Sequence, residues 1–115
     1  LERLVGVHPD LVRVVKRAIE LTERDFSVIE GLRTIETQRA YVAKGASKTM
    51  NSRHITGHAV DLYPVGRPTP WDKCPVVAKA MQAAADELGV AIVWGGSWKS
   101  FVDQPHFELL RSKYP

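Results

Sequence analysis

The sequence predicts a small single domain of the α+β class, about three helices packed on a short, mostly antiparallel sheet, and three observations lead there. Apolar residues recur at helical spacing in two stretches, with a capped third helix between them. Four further runs have the length and the alternation or apolar continuity of strands. The 115 residues, taken as one domain from 1 to 115, suffice for a single core and are too few for two.

A hydrophobic fraction of 44% with 25% charged residues is that of a globular chain with a real core, which rules out a disordered or fibrous one. Sixteen Lys and Arg against thirteen Asp and Glu leave a net charge of +3. These charges are scattered and form no basic stripe, so the chain is not expected to bind nucleic acid, although mild basicity suits a polyanionic surface. Cys74 is the sole cysteine, which excludes an intramolecular disulfide and a Cys-rich zinc knuckle. No apolar run approaches the ~20 residues of a membrane span, and the N-terminus lacks a charged-then-apolar leader. The expectation is a chain without membrane insertion, cytoplasmic at synthesis. Because it begins at Leu1 and not at Met, a lost export signal stays open.

From Pro9 to Arg24, Leu11, Val14, Val15, Ala18 and Ile19 form an amphipathic stripe, with Pro9 and Asp10 as starting signals. His8, just ahead of Pro9, falls near this cap. Phe26 to Glu30 alternates as a short strand ending at Gly31. Thr34 suits the N-cap of a second helix, with Glu36 in its first turn and Gly45 past its end, which places Arg33 at a strand-to-helix junction. Gly45 to Arg53 is a polar loop. Gly57 to Tyr63 reads as a strand in which Gly57, Ala59, Asp61 and Tyr63 face one way and His58, Val60 and Leu62 the other. Pro64, Gly66, Pro68 and Pro70 mark a loop without regular structure, with Trp71 as an anchor at a cleft rim. Val77, Ala80, Met81, Ala84 and Leu88 trace the third helix, from Pro75 to a stop at Gly89, and Met81 is assigned to the core. The apolar run Val90 to Trp94 reads as a central strand broken by Gly95-Gly96. Trp98 and Phe101 follow in a loop. His106 to Leu109 returns as a strand that sets His106 at a strand start beside the strand of Asp61.

The chemistry concentrates in Ser52-Arg53-His54-Ile55-Thr56-Gly57-His58-Ala59-Val60-Asp61 and in Asp103-Gln104-Pro105-His106. A catalytic zinc takes three protein ligands of His or carboxylate type and keeps a fourth position open. His54, Asp61 and His106 supply such a set. Two imidazoles and one carboxylate favour Zn2+ over calcium or magnesium, which prefer more oxygens. Strand alternation turns His58 away from Asp61, so His58 is the alternative ligand to His54 only if that alternation breaks down. Asp103, three residues before the last ligand, is placed to act as general base towards water whose pKa zinc lowers towards ~7. Arg33 is a candidate contact to a carbonyl oxygen developing charge or to a carboxylate, against the plainer reading of a surface arginine. Ser52 is a candidate substrate contact or a loop cap, and Trp98 a candidate cleft wall. Glu108, on the face of His106, either orients that ligand or pairs at the surface.

The pattern Ser52-x-His54-x-x-Gly57-x-Ala59-x-Asp61 with Asp103-x-x-His106 resembles the zinc peptidases named for lysostaphin, D-alanyl-D-alanine metallopeptidases and sonic hedgehog. Glu30-Gly31-Leu32-Arg33-Thr34, Trp94-Gly95-Gly96-x-Trp98 and Pro105-His106-Phe107-Glu108 look most like the phage endolysins of the L-alanyl-D-glutamate peptidase type. The resemblance implies a hedgehog-like or D-Ala-D-Ala peptidase-like fold with zinc on His54, Asp61 and His106, Asp103 as catalytic acid and base, and Arg33 as a transition-state or substrate contact. It implies a monomeric enzyme whose substrate is the peptidoglycan stem peptide, cut between L-alanine and D-glutamate. Synthesis in the host cytoplasm, release to the wall through a holin pore and the lack of a separate wall-binding module complete that expectation. The dipeptidase and carboxypeptidase branches usually carry Glu where Asp103 stands, which favours the endolysin branch. The rivals are a D-alanyl-D-alanine carboxypeptidase or dipeptidase and a zinc-containing binding module without activity.

Overall fold

A computed structural model describes residues 2–47, 50, 52–99 and 102–115. Phe101, expected in the loop after Trp98, lies outside the described residues, as do Lys48, Thr49 and Asn51 of the polar loop. The chain runs through α1 (Pro9–Leu21), β1 (Phe26–Glu30), α2 (Ile35–Ala43), β2 (Ala59–Pro64), α3 (Cys74–Leu88), β3 (Ile92–Trp94) and β4 (His106–Leu109). Single 3-10 turns lie at Glu2–Leu4, Trp71–Lys73 and Gly95–Ser97. The four strands form one sheet in the order β1-β2-β4-β3, and every neighbouring pair is antiparallel.

Local chemistry sets the element ends. His8 is the N-cap of α1, its Nδ1 accepting the Asp10 backbone N–H at 3.1 Å, and Pro9 follows where no donor is needed. The helix stops at Leu21, three residues short of the expected Arg24. Thr22 turns extended there, and its hydroxyl donates to the Arg24 carbonyl at 2.8 Å, so the chain trades helical bonds for a local turn. Thr34 caps α2 through the Thr37 N–H at 3.1 Å, as its place in the sequence predicts. Gly89 ends α3 in the left-handed region at φ 69°.

Three further expectations change. Gly57 sits at φ +76°, a turn conformation, so β2 begins at Ala59 and not at Gly57. Pro64 is the last residue of β2, and Trp71–Lys73 form a turn inside the loop expected to be irregular throughout. β3 is an edge strand paired with β4 alone, where the apolar run reads as central; Ile92, Val93 and Trp94 are all half-buried. An apolar run reports burial, and it cannot report which neighbour a strand takes.

Alternation divides the sheet. Val60 and Leu62 of β2, with Phe107 and Leu109 of β4, join Leu11, Val14, Val15 and Ala18 of α1 and Val77, Met81 and Ala84 of α3 in one core. Met81 is fully buried, as expected. Each large aliphatic or aromatic side chain buried there contributes roughly 1.5–3 kcal/mol of transfer free energy. The intervening residues Asp61, Tyr63, His106 and Glu108 face away from the helices and line a cleft. Among the described residues no helix is long and apolar enough to cross a membrane.

Candidate metal centre

The cleft has a volume of about 960 Å³, and His54, Asp61 and His106 lie among its walls. Strand register supplies two of them, since Asp61 in β2 is the direct partner of His106 at the start of β4. Glu30 at the end of β1 pairs with Asp61 from the other side. His54 comes from the turn ahead of β2. That turn is fastened by the Arg33 N–H to the His54 carbonyl at 2.9 Å and by the His58 N–H to the Arg53 carbonyl at 2.9 Å. At Gly57 a Cβ would lie 2.3 Å from the Gly6 carbonyl oxygen, so both its φ and its surroundings require glycine.

The hydrogen bonds of the two imidazoles settle where their lone pairs point. A backbone carbonyl only accepts, so His54 Nδ1 donates to the Gly31 carbonyl at 2.8 Å, leaving Nε2 towards Asp61 Oδ1 at 3.2 Å. His106 Nε2 lies 2.8 Å from Glu108 Oε1, leaving Nδ1 towards the same Asp61 Oδ1 at 3.3 Å. Two nitrogen lone pairs converging on a carboxylate oxygen require a proton or a cation among them. Ligand atoms of the three side chains all lie within 4.8 Å of one another, and among the described residues they form the group able to hold a metal. Zinc bonds of about 2.0–2.2 Å in a tetrahedron set neighbouring ligand atoms roughly 3.3–3.5 Å apart, close to the separations seen here. Donor chemistry and spacing thus fit zinc, and the outward partners Gly31 and Glu108 hold each ring in the required tautomer.

The charges follow from this packing. Burial opposes ionisation of Asp61, but hydrogen bonds from His106 and His54 overcome it and hold its carboxyl well below the usual carboxylate range. Burial also works against a charged His106, yet its bonds to Asp61 and Glu108 raise it to about 9. Asp103 shifts upward because it is desolvated and because Asp61 is near. Its Oδ2 stands 4.0 Å from His106 Nδ1. The backbone around Asp103 is tightly placed: its N–H donates to the Gly95 carbonyl at 3.1 Å, and a Cβ on Gly95 would meet the Asp103 carbonyl oxygen at 2.3 Å. Trp94 Nε1 donates to the Gln104 carbonyl at 2.6 Å, bracing the same segment.

The other expected site residues also line the cleft. Arg33 is buried and far from a plain surface arginine. Its Nε and Nη2 donate to Glu30, its Nη1 donates to Gln38 Oε1 at 2.6 Å, and its guanidinium lies 4.5 Å from the Tyr41 ring centre. Nη2 stands 3.8 Å from Asp61 Oδ2, so one edge of this cation faces the cluster of His54, Asp61 and His106. Ser52 Oγ accepts the His54 N–H at 3.3 Å, which matches its reading as a loop cap, and lies 3.5 Å from Arg33 Nη1. The Trp98 ring is centred 5.1 Å from that of His106. His58 turns away from the cluster: its Nδ1 is 2.6 Å from Thr56 Oγ1 and its ring neighbours His8 at 5.6 Å.

Of the residues around the cleft, Gln38, which holds Arg33 from behind, carries no signal in the sequence. Gln38 is fully buried on α2, although its place in a polar helix resembles a wet one. Tyr63 follows Asp61 by two, so strand alternation places it in the cleft, where its ring packs edge-on against Trp71 at 4.8 Å. Trp71 anchors the rim in this way while remaining exposed.

A family model described as phage L-alanyl-D-glutamate peptidase matches residues 1–110. The L-alanyl-D-glutamate peptidase of Escherichia phage T5 is 33% identical over 120 residues, which cover 98% of this chain and 87% of that protein. The L-alanyl-D-glutamate peptidase of Listeria phage A118 is 40% identical over 88 residues, covering 71% of this chain but 29% of its own longer one. Among solved structures, the Serratia marcescens L-Ala D-Glu endopeptidase ChiX superposes with a TM-score of 0.93 at 46% identity, over 99% of this chain and 88% of that one. The vancomycin-resistance D,D-dipeptidase VanXYg shares the fold, with a TM-score of 0.59 at 17% identity over 90% of this chain and 50% of that one.

Proposed function

The chain belongs to the phage L-alanyl-D-glutamate peptidase family, and from that premise we propose that it is a zinc-dependent endopeptidase cutting the L-alanyl-D-glutamate bond of the peptidoglycan stem peptide. The observation that carries the zinc assignment is the convergence of His54 Nε2 and His106 Nδ1 on Asp61 Oδ1, with both far ring nitrogens already engaged. His54, Asp61 and His106 hold the metal. When bound, zinc supplies Lewis acidity, polarising the scissile carbonyl and lowering the pKa of water towards ~7.

The chain's own residues do the rest. Asp103 takes the proton of the attacking water and delivers it to the departing amine of D-glutamate; its upward-shifted carboxyl is a stronger base than an exposed aspartate. Arg33 aims the edge of a fixed cation at the reacting carbonyl oxygen or at a substrate carboxylate, and its bonds to Glu30 and Gln38 remove the entropy cost of placing it. Trp98 forms an apolar wall beside His106, and Ser52 contacts the peptide while capping its loop. The enzyme acts as a monomer, made in the host cytoplasm and reaching the wall through a holin pore.

The test is turnover of a defined L-alanyl-D-glutamate muropeptide by chelated protein with single metals added back. Zinc at one equivalent restores cleavage. Restoration by magnesium or calcium alone would refute the zinc assignment.

A further inference from the structure

Arg53 joins the turn that carries His54 to the end of the strand that carries His106, in a way the mechanism above does not use. It is 7% exposed, and it lines the cleft. Its Nε is the buried polar side-chain atom without a hydrogen-bond partner among the described residues. Holding a guanidinium there costs desolvation that a surface arginine avoids. What the residue touches explains the placement. Its carbonyl accepts the His58 N–H at 2.9 Å and the Thr56 hydroxyl at 3.1 Å, framing the turn that carries His54. Its Nη2 donates to the Leu109 carbonyl at 3.3 Å and to the Tyr114 carbonyl, gripping the end of the strand that carries His106. The Leu109 N–H in turn donates to the His58 carbonyl at 2.9 Å, closing the link between turn and strand. Glu108, whose carboxylate meets His106 Nε2 at 2.8 Å, lines the same cleft.

We propose that Arg53 is a positioning residue for the metal centre, locking the His54 turn to the end of β4 so that both imidazoles present their lone pairs to one metal ion. The inference rests on His54, Asp61 and His106 being the metal site. Tyr114 belongs to the same lock: its hydroxyl donates to Asp10 Oδ2 at 2.7 Å and its ring meets His8 edge-on at 5.2 Å, so the carbonyl that Arg53 grips is held from the other side.

The experiment is zinc affinity, measured by competition with a chromophoric chelator, for the parent, Arg53→Lys and Arg53→Met proteins at a temperature where each metal-free protein is folded by circular dichroism. Loss of partners that orient ligands typically weakens metal binding by about 10- to 100-fold. Arg53→Met is expected in that range, and Arg53→Lys, which keeps the charge but not the fork, at roughly tenfold. Nitrogen NMR of the histidine rings adds a signature that general destabilisation would not move, namely a shift of the His54 Nδ1–H resonance, the donor to the Gly31 carbonyl, in zinc-loaded Arg53→Met. If Arg53→Met does not fold, Arg53→Lys carries the test alone. Affinity within twofold of the parent in a folded variant overturns the proposal. A parent that binds no stoichiometric zinc would instead overturn the metal assignment beneath it.

Discussion

On the helix side of the sheet, Val60, Leu62, Phe107 and Leu109 meet α1 and α3 in an apolar core; one residue away along the same strands, Asp61, His106 and Glu108 stand in a cleft with buried Arg33, Arg53 and His54, and buried Gln38 holds Arg33. The apolar side is stabilised by area removed from water, which is forgiving of shape and visible as periodicity. The polar side is stabilised only by pairing, so each group there depends on a named partner and loss of either partner is costly. Period two lets β2 and β4 serve both sides at once. This chain thus separates the residues of its core from those of its candidate site, although they alternate in sequence.

Substitutions can break that separation if it is false. His54→Ala should have the largest effect, losing both stoichiometric metal and detectable turnover while the core stays intact; metal analysis and muropeptide kinetics check this. Retained zinc would reinstate His58 as the ligand. Asp103→Ala should keep metal and fold yet lower kcat by about 10²- to 10⁴-fold, the range expected for removal of a general base. Near-normal turnover would remove Asp103 from the mechanism.

The core side should respond in the opposite way. Met81→Ala, at a fully buried position, should cost about 2–5 kcal/mol in denaturant unfolding, while zinc stoichiometry and the KM of the folded fraction stay near those of the parent. A marked change in KM would mean that the two sides are coupled.

The smallest effect concerns pH. His106 in the metal-free protein is raised from 6.5 to about 9, so its stabilising contribution is complete below pH 6.5 and lost as pH rises through 9. That amounts to ~3 kcal/mol at most. Zinc requires the neutral ring, so metal binding releases protons in this window and zinc affinity increases with pH. Calorimetry should show the metal-free Tm falling between pH 6.5 and 9 and no such fall in the zinc-loaded protein. Parallel curves would show that His106 titrates independently of the metal site.

Much of this was legible from residue order. The stripes of α1 and α3 mark their buried faces except at Ile19, which is exposed; alternation turns His58 away from Asp61, and the strand at His106 is expected beside that of Asp61, where the register then pairs the two residues. The spacing of Asp103 and His106 places a carboxylate beside the imidazole. What escaped notice depends on tertiary partners. Gln38 looks like any polar helix residue until Arg33 is seen to turn towards it. Arg53 reads as a loop cation until β4 and Tyr114 close over it. β3 reads as central because Ile92, Val93 and Trp94 are apolar, yet among the described residues its outer edge pairs with no strand. Gly57 reads as strand because a left-handed φ leaves no mark beyond the glycine itself.

The central claim is that the polar side of the sheet cuts one peptide bond with a metal held by His54, Asp61 and His106. Mass spectrometry of products from purified peptidoglycan, treated with chelated and with zinc-restored protein, tests it most directly. The account predicts new L-alanine C-termini and D-glutamate N-termini that vanish with chelation and return with zinc. Release of D-alanine in their place, or the same products from chelated protein, would contradict it.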